Sequence, residues 1–320
     1  MFARPVIVFI IVRVILAAGT IVGLSDLTHS QSEEIRIDTS LVRVPVSVFD
    51  RDGRFIPNLQ INNFKLFEDG KEQEISHFES YSEPITVLLL LDASGSMVPH
   101  FPRLAEAVSS FINQLQPEDN VMIATFVDDS KINILVNDKK KFLNGRIALT
   151  PKPGDHFTTT FDAVERGLKL MRSAKGRRRA MVLFSDGELF GWKASAKSNI
   201  RDAEEQDALI YTIRFGEYPT HQPGYDNSLL TEREKRSIRK KVDDYMMGLA
   251  AATGGRGFEV DQIAQLGSTF GEIAAELGRQ YTLGYYPQAF SRRGERRQIK
   301  VTVDRPNVAV RSRTSYVLDR

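Results

Sequence analysis

The chain has 320 residues, of which 42% are hydrophobic and 26% charged, a globular balance with room for about two domains. Its 43 basic residues nearly match its 41 acidic ones, so the net charge of +2 gives no reason to expect nucleic acid as a partner. Cysteine is absent, which excludes disulfide bonds, thiolate metal sites and a cysteine nucleophile. Five histidines without a His-Glu-x-x-His motif argue against a zinc hydrolase.

Residues 1–32 have the composition of a targeting segment, because residues 6–24 are apolar apart from the charge of Arg13. A cleaved signal peptide fits the basic start, the apolar stretch and the small residues that follow, and it predicts a mature protein that begins between Gly19 and Glu34. An uncleaved anchor fits the length of the apolar run, although a central arginine costs about 2.5–3.5 kcal/mol on insertion. Both interpretations predict an extracytoplasmic protein (periplasmic, secreted or envelope-anchored), with membrane contact only if the segment is uncleaved.

Residues 35–83 have the pattern of a β segment. Valine alternates with other residues from Val42 to Val48, the period of a strand with one apolar face. Pro45 cannot donate to a ladder, which predicts that this strand lies at a sheet edge. Turns are predicted at 51–53 and 68–71, so the segment should form three or four antiparallel strands.

Residues 84–280 alternate between strand and helix patterns, which predicts an α/β domain. The run ITVLLLL at 85–91 is typical of a strand buried on both faces. The chain order predicts a doubly wound, mainly parallel sheet that helices cover on both sides. Further strands are predicted at 121–127, 132–136, 181–184, 209–215 and 257–260, helices at 101–115, 161–171, 194–208, 234–252 and 263–277, and a surface loop at 217–232.

Residues 281–320 return to β character, with strands predicted at 281–286, 298–303 and 308–313. Neither β segment has enough strands to bury a core alone. We therefore expect residues 35–80 and 281–320 to share one sheet or sandwich, with the α/β domain inserted between them.

Oxygen-bearing side chains follow two of the predicted buried strands. Asp92, Ser94 and Ser96 come directly after the strand at 85–91, and their spacing lets them point to one side. Asp186 follows the strand at 181–184, and Thr158 and Thr159 precede a helix. Hard cations such as Mg²⁺ take carboxylate and hydroxyl oxygens, and neutral hydroxyls leave the site attractive to a further carboxylate.

This arrangement resembles the von Willebrand factor type A family, in particular its exported bacterial members. The family's metal-ion-dependent adhesion site uses Asp-x-Ser-x-Ser, a downstream Thr and a downstream Asp. The resemblance implies a six-stranded sheet with one antiparallel edge strand and Mg²⁺ (or Mn²⁺) as cofactor. It implies the metal ligands Asp92, Ser94, Ser96, Thr158 and Asp186. Thr159 stays an alternative to Thr158, because residues 155–157 are not the paired glycines that commonly precede the family's threonine.

The resemblance implies a non-enzymatic module that binds a protein ligand whose exposed Asp or Glu completes the metal coordination. His156, Phe157 and Trp192 are predicted to form the rim that contacts this partner, although Trp192 also fits a core position. The alternative is a metal-dependent phosphatase or phosphotransferase that uses Asp92. Ser94 stands where that chemistry favours a second acid, and a phosphate-cradling glycine loop is missing. Asp162 is interpreted as a solvent-facing residue of a helix's first turn.

Overall fold

The structure, a computed structural model, describes residues 41–80, 83–127, 132–136, 139–144, 158–187, 189, 191–216, 231–287 and 294–317. The strands are β1 (Val42–Phe49), β2 (Phe64–Glu68), β3 (Lys71–Gln73), β4 (His77–Glu79), β5 (Ile85–Asp92), β6 (Asn120–Phe126), β7 (Asn133–Val136), β8 (Arg178–Ser185), β9 (Leu209–Phe215), β10 (Gly257–Val260), β11 (Tyr281–Tyr285), β12 (Arg296–Val303), β13 (Ala309–Ser312) and β14 (Ser315–Val317). The α-helices are α1 (Phe101–Gln114), α2 (Lys139–Leu143), α3 (Thr160–Ser173), α4 (Ala196–Glu204), α5 (Glu232–Ala251) and α6 (Leu266–Leu277). The predicted targeting segment and residues 217–230 of the predicted surface loop lie outside the described residues.

A six-stranded sheet forms the centre of the α/β part, in the order β10-β9-β8-β5-β6-β7. Neighbouring strands are parallel except for β7, which runs antiparallel to β6 at one edge. Residues of β5 are buried along its whole length, alternately in a core with α1 and α6 and in a core with α3 and α5. The predicted doubly wound sheet with one antiparallel edge strand is confirmed.

Two four-stranded antiparallel sheets are built from both ends of the described chain, in the orders β13-β1-β11-β4 and β14-β12-β2-β3. Val44 of β1 pairs with Leu283 of β11, and Leu66 of β2 pairs with Val301 of β12. These side chains belong to one buried core between the sheets. The expectation that the two β segments share a sandwich is confirmed, whereas the exact domain boundaries stay a prediction.

The prediction that Pro45 marks an edge strand is wrong, because β1 lies between β11 and β13. Pro45 is opposite Thr282 of β11, but the ladder with β13 begins only at Val46. Proline therefore stands just beyond the end of one ladder, where its missing N–H removes no bond from that ladder.

A buried arginine joins the β-sandwich to the α/β part. Arg313 is 3% exposed and follows β13. Its guanidinium donates to the backbone oxygens of Ser315, of Glu204 at the end of α4, and of Gln206 just after α4. Burial lowers the pKa of Arg313 to about 10, a shift that the nearby acids Asp207 and Glu204 oppose. The three carbonyl contacts tie two parts of the fold that are distant in sequence.

None of the helices within the described ranges combines the length and the apolar character that a bilayer crossing requires.

The side chain of Glu68 is a buried carboxylate in the β-sandwich, and its hydrogen bonds lead to a testable prediction. Glu68 accepts hydrogen bonds from the hydroxyls of Tyr285 at 2.5 Å and Tyr316 at 2.9 Å. Tyr285→Phe removes one charge-assisted bond, so the free energy of unfolding should fall by about 1.5–3 kcal/mol in urea titrations. Tyr286→Phe, at the exposed neighbouring position, should stay within about 0.5 kcal/mol of wild type. Equal losses in the two variants would contradict this role of Glu68.

Candidate metal site

The candidate site lies at the carboxyl end of β5, where the apolar strand ends in the fully buried Asp92. The backbone N–H of Ser94 donates to Asp92 Oδ1 at 3.0 Å, and the hydroxyl of Ser185 donates to Asp92 Oδ2 at 2.8 Å. The chain then turns into a short 3-10 helix, Gly95–His100. Asp92 is thus held by the loop that follows it and by the end of the neighbouring strand β8.

A chain of hydroxyl contacts links this first loop to the loop after β8. Ser94 Oγ and Ser96 Oγ are 3.0 Å apart, and Ser96 Oγ donates to Asp186 Oδ2 at 2.5 Å. Gly187, next to Asp186, has φ of 92°, and a Cβ there would lie 2.6 Å from Val242 Cγ1 of α5. Glycine is therefore required at this position for the loop to carry Asp186 toward the two serines.

Thr158 lies at the same edge of the sheet, because the backbone of the next residue, Thr159, is bonded there. Thr159 N donates to Val127 O at 2.9 Å, next to the bond from Ala93 N to Phe126 O at 2.8 Å. Thr159 also forms an isolated antiparallel bridge with Leu189, which lies in the loop after β8 that carries Asp186. The hydroxyl oxygen of Thr158 is buried and has no hydrogen-bond partner among the described residues.

The protonation of Asp92 depends on its burial and on the charges around it. Burial, together with the nearby charge of Asp186, raises the pKa of Asp92 to about 8. A bound cation would favour the ionised form instead. No group of three or more His, Cys, Asp or Glu that could hold a metal occurs in the described part of the chain. A metal at this edge would therefore need hydroxyl ligands, and two carboxylates with three hydroxyls fit a hard cation such as Mg²⁺.

The model of the von Willebrand factor type A domain matches residues 86–250, which is more than half of the chain. The chain belongs to the von Willebrand factor type A (VWA) family. The matched residues contain the six-stranded sheet apart from β10 and the first residue of β5, and they include all five predicted metal ligands. No curated protein matches the chain.

Several solved structures are similar to this VWA protein, all at low identity. An aerotolerance-related membrane protein from Bacteroides fragilis NCTC 9343 has 18% identity and a TM-score of 0.43, over 60% of this chain and 98% of that one. A von Willebrand factor type A protein from Catenulispora acidiphila has 12% identity and a TM-score of 0.44, over 82% and 76%. The pilus adhesin SpaC from Lactobacillus rhamnosus GG, in its open conformation, has 10% identity and a TM-score of 0.49, over 79% and 47%.

The predicted rim of the VWA site is described only in part. His156 and Phe157 lie outside the described residues. Trp192 is 69% exposed, so the alternative prediction that it occupies a core position is wrong.

The prediction that Asp162 faces solvent is wrong as well, since this residue is only 1% exposed. Its carboxylate accepts hydrogen bonds from the backbone N–H groups of Trp192, Lys193 and Ala194, at 2.8, 3.0 and 2.8 Å. Burial raises the pKa of Asp162, but these three bonds together with the positive charge of Arg166 lower it by more, so the pKa lies below its usual range. The partners are about 30 positions away and are backbone groups, so no side-chain pattern in the sequence points to them.

Proposed function

We propose that this VWA protein is an extracytoplasmic binding module whose metal site captures a carboxylate of a protein partner. Asp92, Ser94, Ser96, Thr158 and Asp186 would hold Mg²⁺ or Mn²⁺, some of them through water. The metal supplies a positive centre for an incoming Asp or Glu side chain. The proposal includes no catalytic step.

The buried hydroxyl of Thr158 is the observation that carries this proposal. A buried hydroxyl without a partner costs about 1–3 kcal/mol, and such groups in native structures call for an explanation. Metal coordination supplies that explanation, because the hydroxyl stands at the same sheet edge as the two carboxylates and two serines. This hydroxyl, which has no partner among the described residues, also supports Thr158 rather than Thr159 as the ligand.

The count and charge of the donors support a carboxylate as the partner group. If each of the five side chains supplies one ligand oxygen, directly or through a water, octahedral Mg²⁺ keeps one position for a partner. Two carboxylates balance the charge of a divalent cation, and the three neutral hydroxyls add no negative charge, so the site does not repel a further carboxylate. A single hydrated carboxylate binds weakly, so contacts around the site must supply the remaining affinity. Trp192, with His156 and Phe157, is proposed to form this rim.

Export is supported by the sequence alone, from the apolar run at residues 6–24 with its basic start. Contact with the membrane is proposed only for the uncleaved form.

A capture experiment tests the proposed function. The full chain is immobilised and exposed to native cell-envelope extract in Mg²⁺, in excess chelator, and after Mg²⁺ is restored. A partner should bind only with the metal, and changing one partner carboxylate to its amide should abolish binding. Binding at full strength in chelator would contradict the proposal and show that the partner binds another surface of the protein. Mg²⁺-dependent hydrolysis of simple phosphate esters would favour the phosphatase alternative.

Thr158→Val should separate metal binding from folding. Valine has nearly the shape of threonine but removes the unpartnered hydroxyl, so metal-free stability should be unchanged or slightly higher. Mg²⁺ affinity, measured by titration calorimetry, should fall by at least about tenfold, a loss typical even of residues that only support a metal ligand. Thr158→Ser, which keeps the hydroxyl, should retain most of the affinity. Loss of affinity in Thr159→Val instead would assign the role to Thr159.

A further inference from the structure

Residues 191–194, called here the Trp192 loop, are fixed to the start of α3. The buried carboxylate of Asp162 accepts one hydrogen bond from each of three successive backbone N–H groups of this loop. Hydrogen bonds to an ionised acceptor are shorter and stronger than those between neutral groups. One side chain therefore determines the backbone path of most of the loop.

Close packing restricts the same loop from a second direction. A Cβ on Gly191 would lie 2.7 Å from Phe161 Cβ and 2.8 Å from the backbone oxygen of Ala194. The side-chain amide of Asn199, which is fully buried, donates to Phe161 O at 3.0 Å and to the hydroxyl of Tyr245 at 2.9 Å. Helices α3, α4 and α5 thus form a rigid support beneath the loop.

The loop nevertheless exposes the largest side chain in the protein. Trp192 is the only tryptophan of the chain, and 69% of it is accessible to solvent. Tryptophan is usually well buried, and it is enriched among the residues that dominate the energy of protein interfaces. An exposed aromatic side chain on a fixed backbone loses little conformational freedom when a partner binds.

The Trp192 loop and Asp162 each follow a predicted metal ligand closely in the sequence. Asp162 follows Thr158 by four positions, and Trp192 follows Asp186 by six. The bridge between Thr159 and Leu189 joins these two segments a second time. A partner group that reaches the metal would therefore carry its neighbouring residues over this part of the surface.

We propose that Asp162 is a positioning residue that fixes Trp192 as an aromatic contact, and that the partner carries an apolar side chain next to its metal-binding carboxylate. This inference rests on the proposed function and adds a second recognition element to it. An indole face suits an aliphatic side chain, whereas the metal suits the acid, so the two contacts together select an acidic residue with an apolar neighbour.

Fluorescence of the single tryptophan tests the positioning role without any partner. In the full chain, the time-resolved anisotropy of Trp192 should show only the fast rotation of its own side chain and the tumbling of the whole protein. Asp162→Asn should add a component of intermediate rate from motion of the loop, because an amide cannot accept all three N–H bonds. Glu165→Gln, which removes a charge from the same helix, should behave like wild type. An unchanged decay in Asp162→Asn would overturn the positioning role.

Two cyclic peptides of equal length test the partner chemistry, each with one Asp that is flanked by leucine in the first and by serine in the second. The leucine peptide should bind wild type at least about tenfold more tightly in Mg²⁺, the scale of an interface hot spot. Trp192→Ala, an exposed change that should not affect folding, should abolish this preference, and Asp162→Asn should reduce it. Equal Mg²⁺-dependent binding of both peptides, or a preference that survives Trp192→Ala, would overturn the inference and leave the proposed function intact. Absence of Mg²⁺-dependent binding by either peptide would contradict both.

Discussion

Asp92→Ala is expected to remove the stabilisation that Mg²⁺ gives to the wild-type protein. A ligand that binds only the folded state adds RT ln(1 + [L]/Kd), which is about 2.7 kcal/mol at a hundredfold excess over Kd. Asp92 would supply one of the two charged ligands, and it accepts hydrogen bonds from Ser94 N in the first loop and from Ser185 Oγ at the end of β8. Thermal unfolding with Mg²⁺ and with chelator should show a clear metal-induced rise in Tm for wild type and none for the variant.

Two further variants control this experiment. Asp92→Asn keeps the size of the side chain but cannot ionise to bind a metal, and it leaves no cavity, so its metal-free form should be at least as stable as that of Asp92→Ala. It should likewise show no response to Mg²⁺. Asp69→Ala, which removes a carboxylate from a turn of the β-sandwich, should keep the full metal response. An equal metal-induced shift in wild type and Asp92→Ala would place the metal elsewhere.

Arg313→Met should cause the largest loss of stability among the changes considered. The substitution leaves the backbone oxygens of Ser315, Gln206 and Glu204 without their shared donor, in a buried position between the sandwich and α4. It also removes the positive charge that lies near the buried Glu204 and near Asp207. Each buried carbonyl oxygen that loses its donor costs about 1–3 kcal/mol, so the loss over three of them should be at least about 3 kcal/mol, which urea titration followed by circular dichroism can measure.

The matched control is Arg51→Met, which makes the same chemical change at an exposed turn of the β-sandwich. Its free energy of unfolding should stay within about 0.5 kcal/mol of wild type. A loss of less than about 1 kcal/mol in Arg313→Met would show that the two parts of the fold do not depend on this arginine.

The sequence was sufficient to predict the layers of the fold because strand and helix periodicities are local. The apolar run of β5, the helix-start residues and the valine alternation of β1 each depend on neighbouring positions. The candidate site could be predicted for a similar reason, since Asp92 and Asp186 end parallel strands and parallel strands end at one edge. The hydrogen bonds among Asp92, Ser94, Ser96 and Asp186 agree with that expectation.

The wrong predictions concern residues whose role depends on distant partners. Pro45 is typical of an edge, but its strand lies between β11 and β13, and the proline is tolerated because the ladder with β13 begins only at Val46. Asp162 has the sequence context of an exposed helix start, yet its carboxylate contacts the backbone of a loop some 30 positions away. Arg313 follows a short strand and shows no pattern that would indicate burial. A backbone partner does not need a particular side chain, so these contacts cannot be predicted from the residue pattern of either segment.

Anomalous scattering from Mn²⁺ in crystals of the full chain tests the central claim most directly. We predict an anomalous peak at the carboxyl ends of β5 and β8, within ligand distance of oxygens from Asp92, Thr158 and Asp186 or of the waters they bind, and lost in crystals of Asp92→Ala. A peak at another place in the wild-type protein, or none at saturating Mn²⁺, would contradict the account.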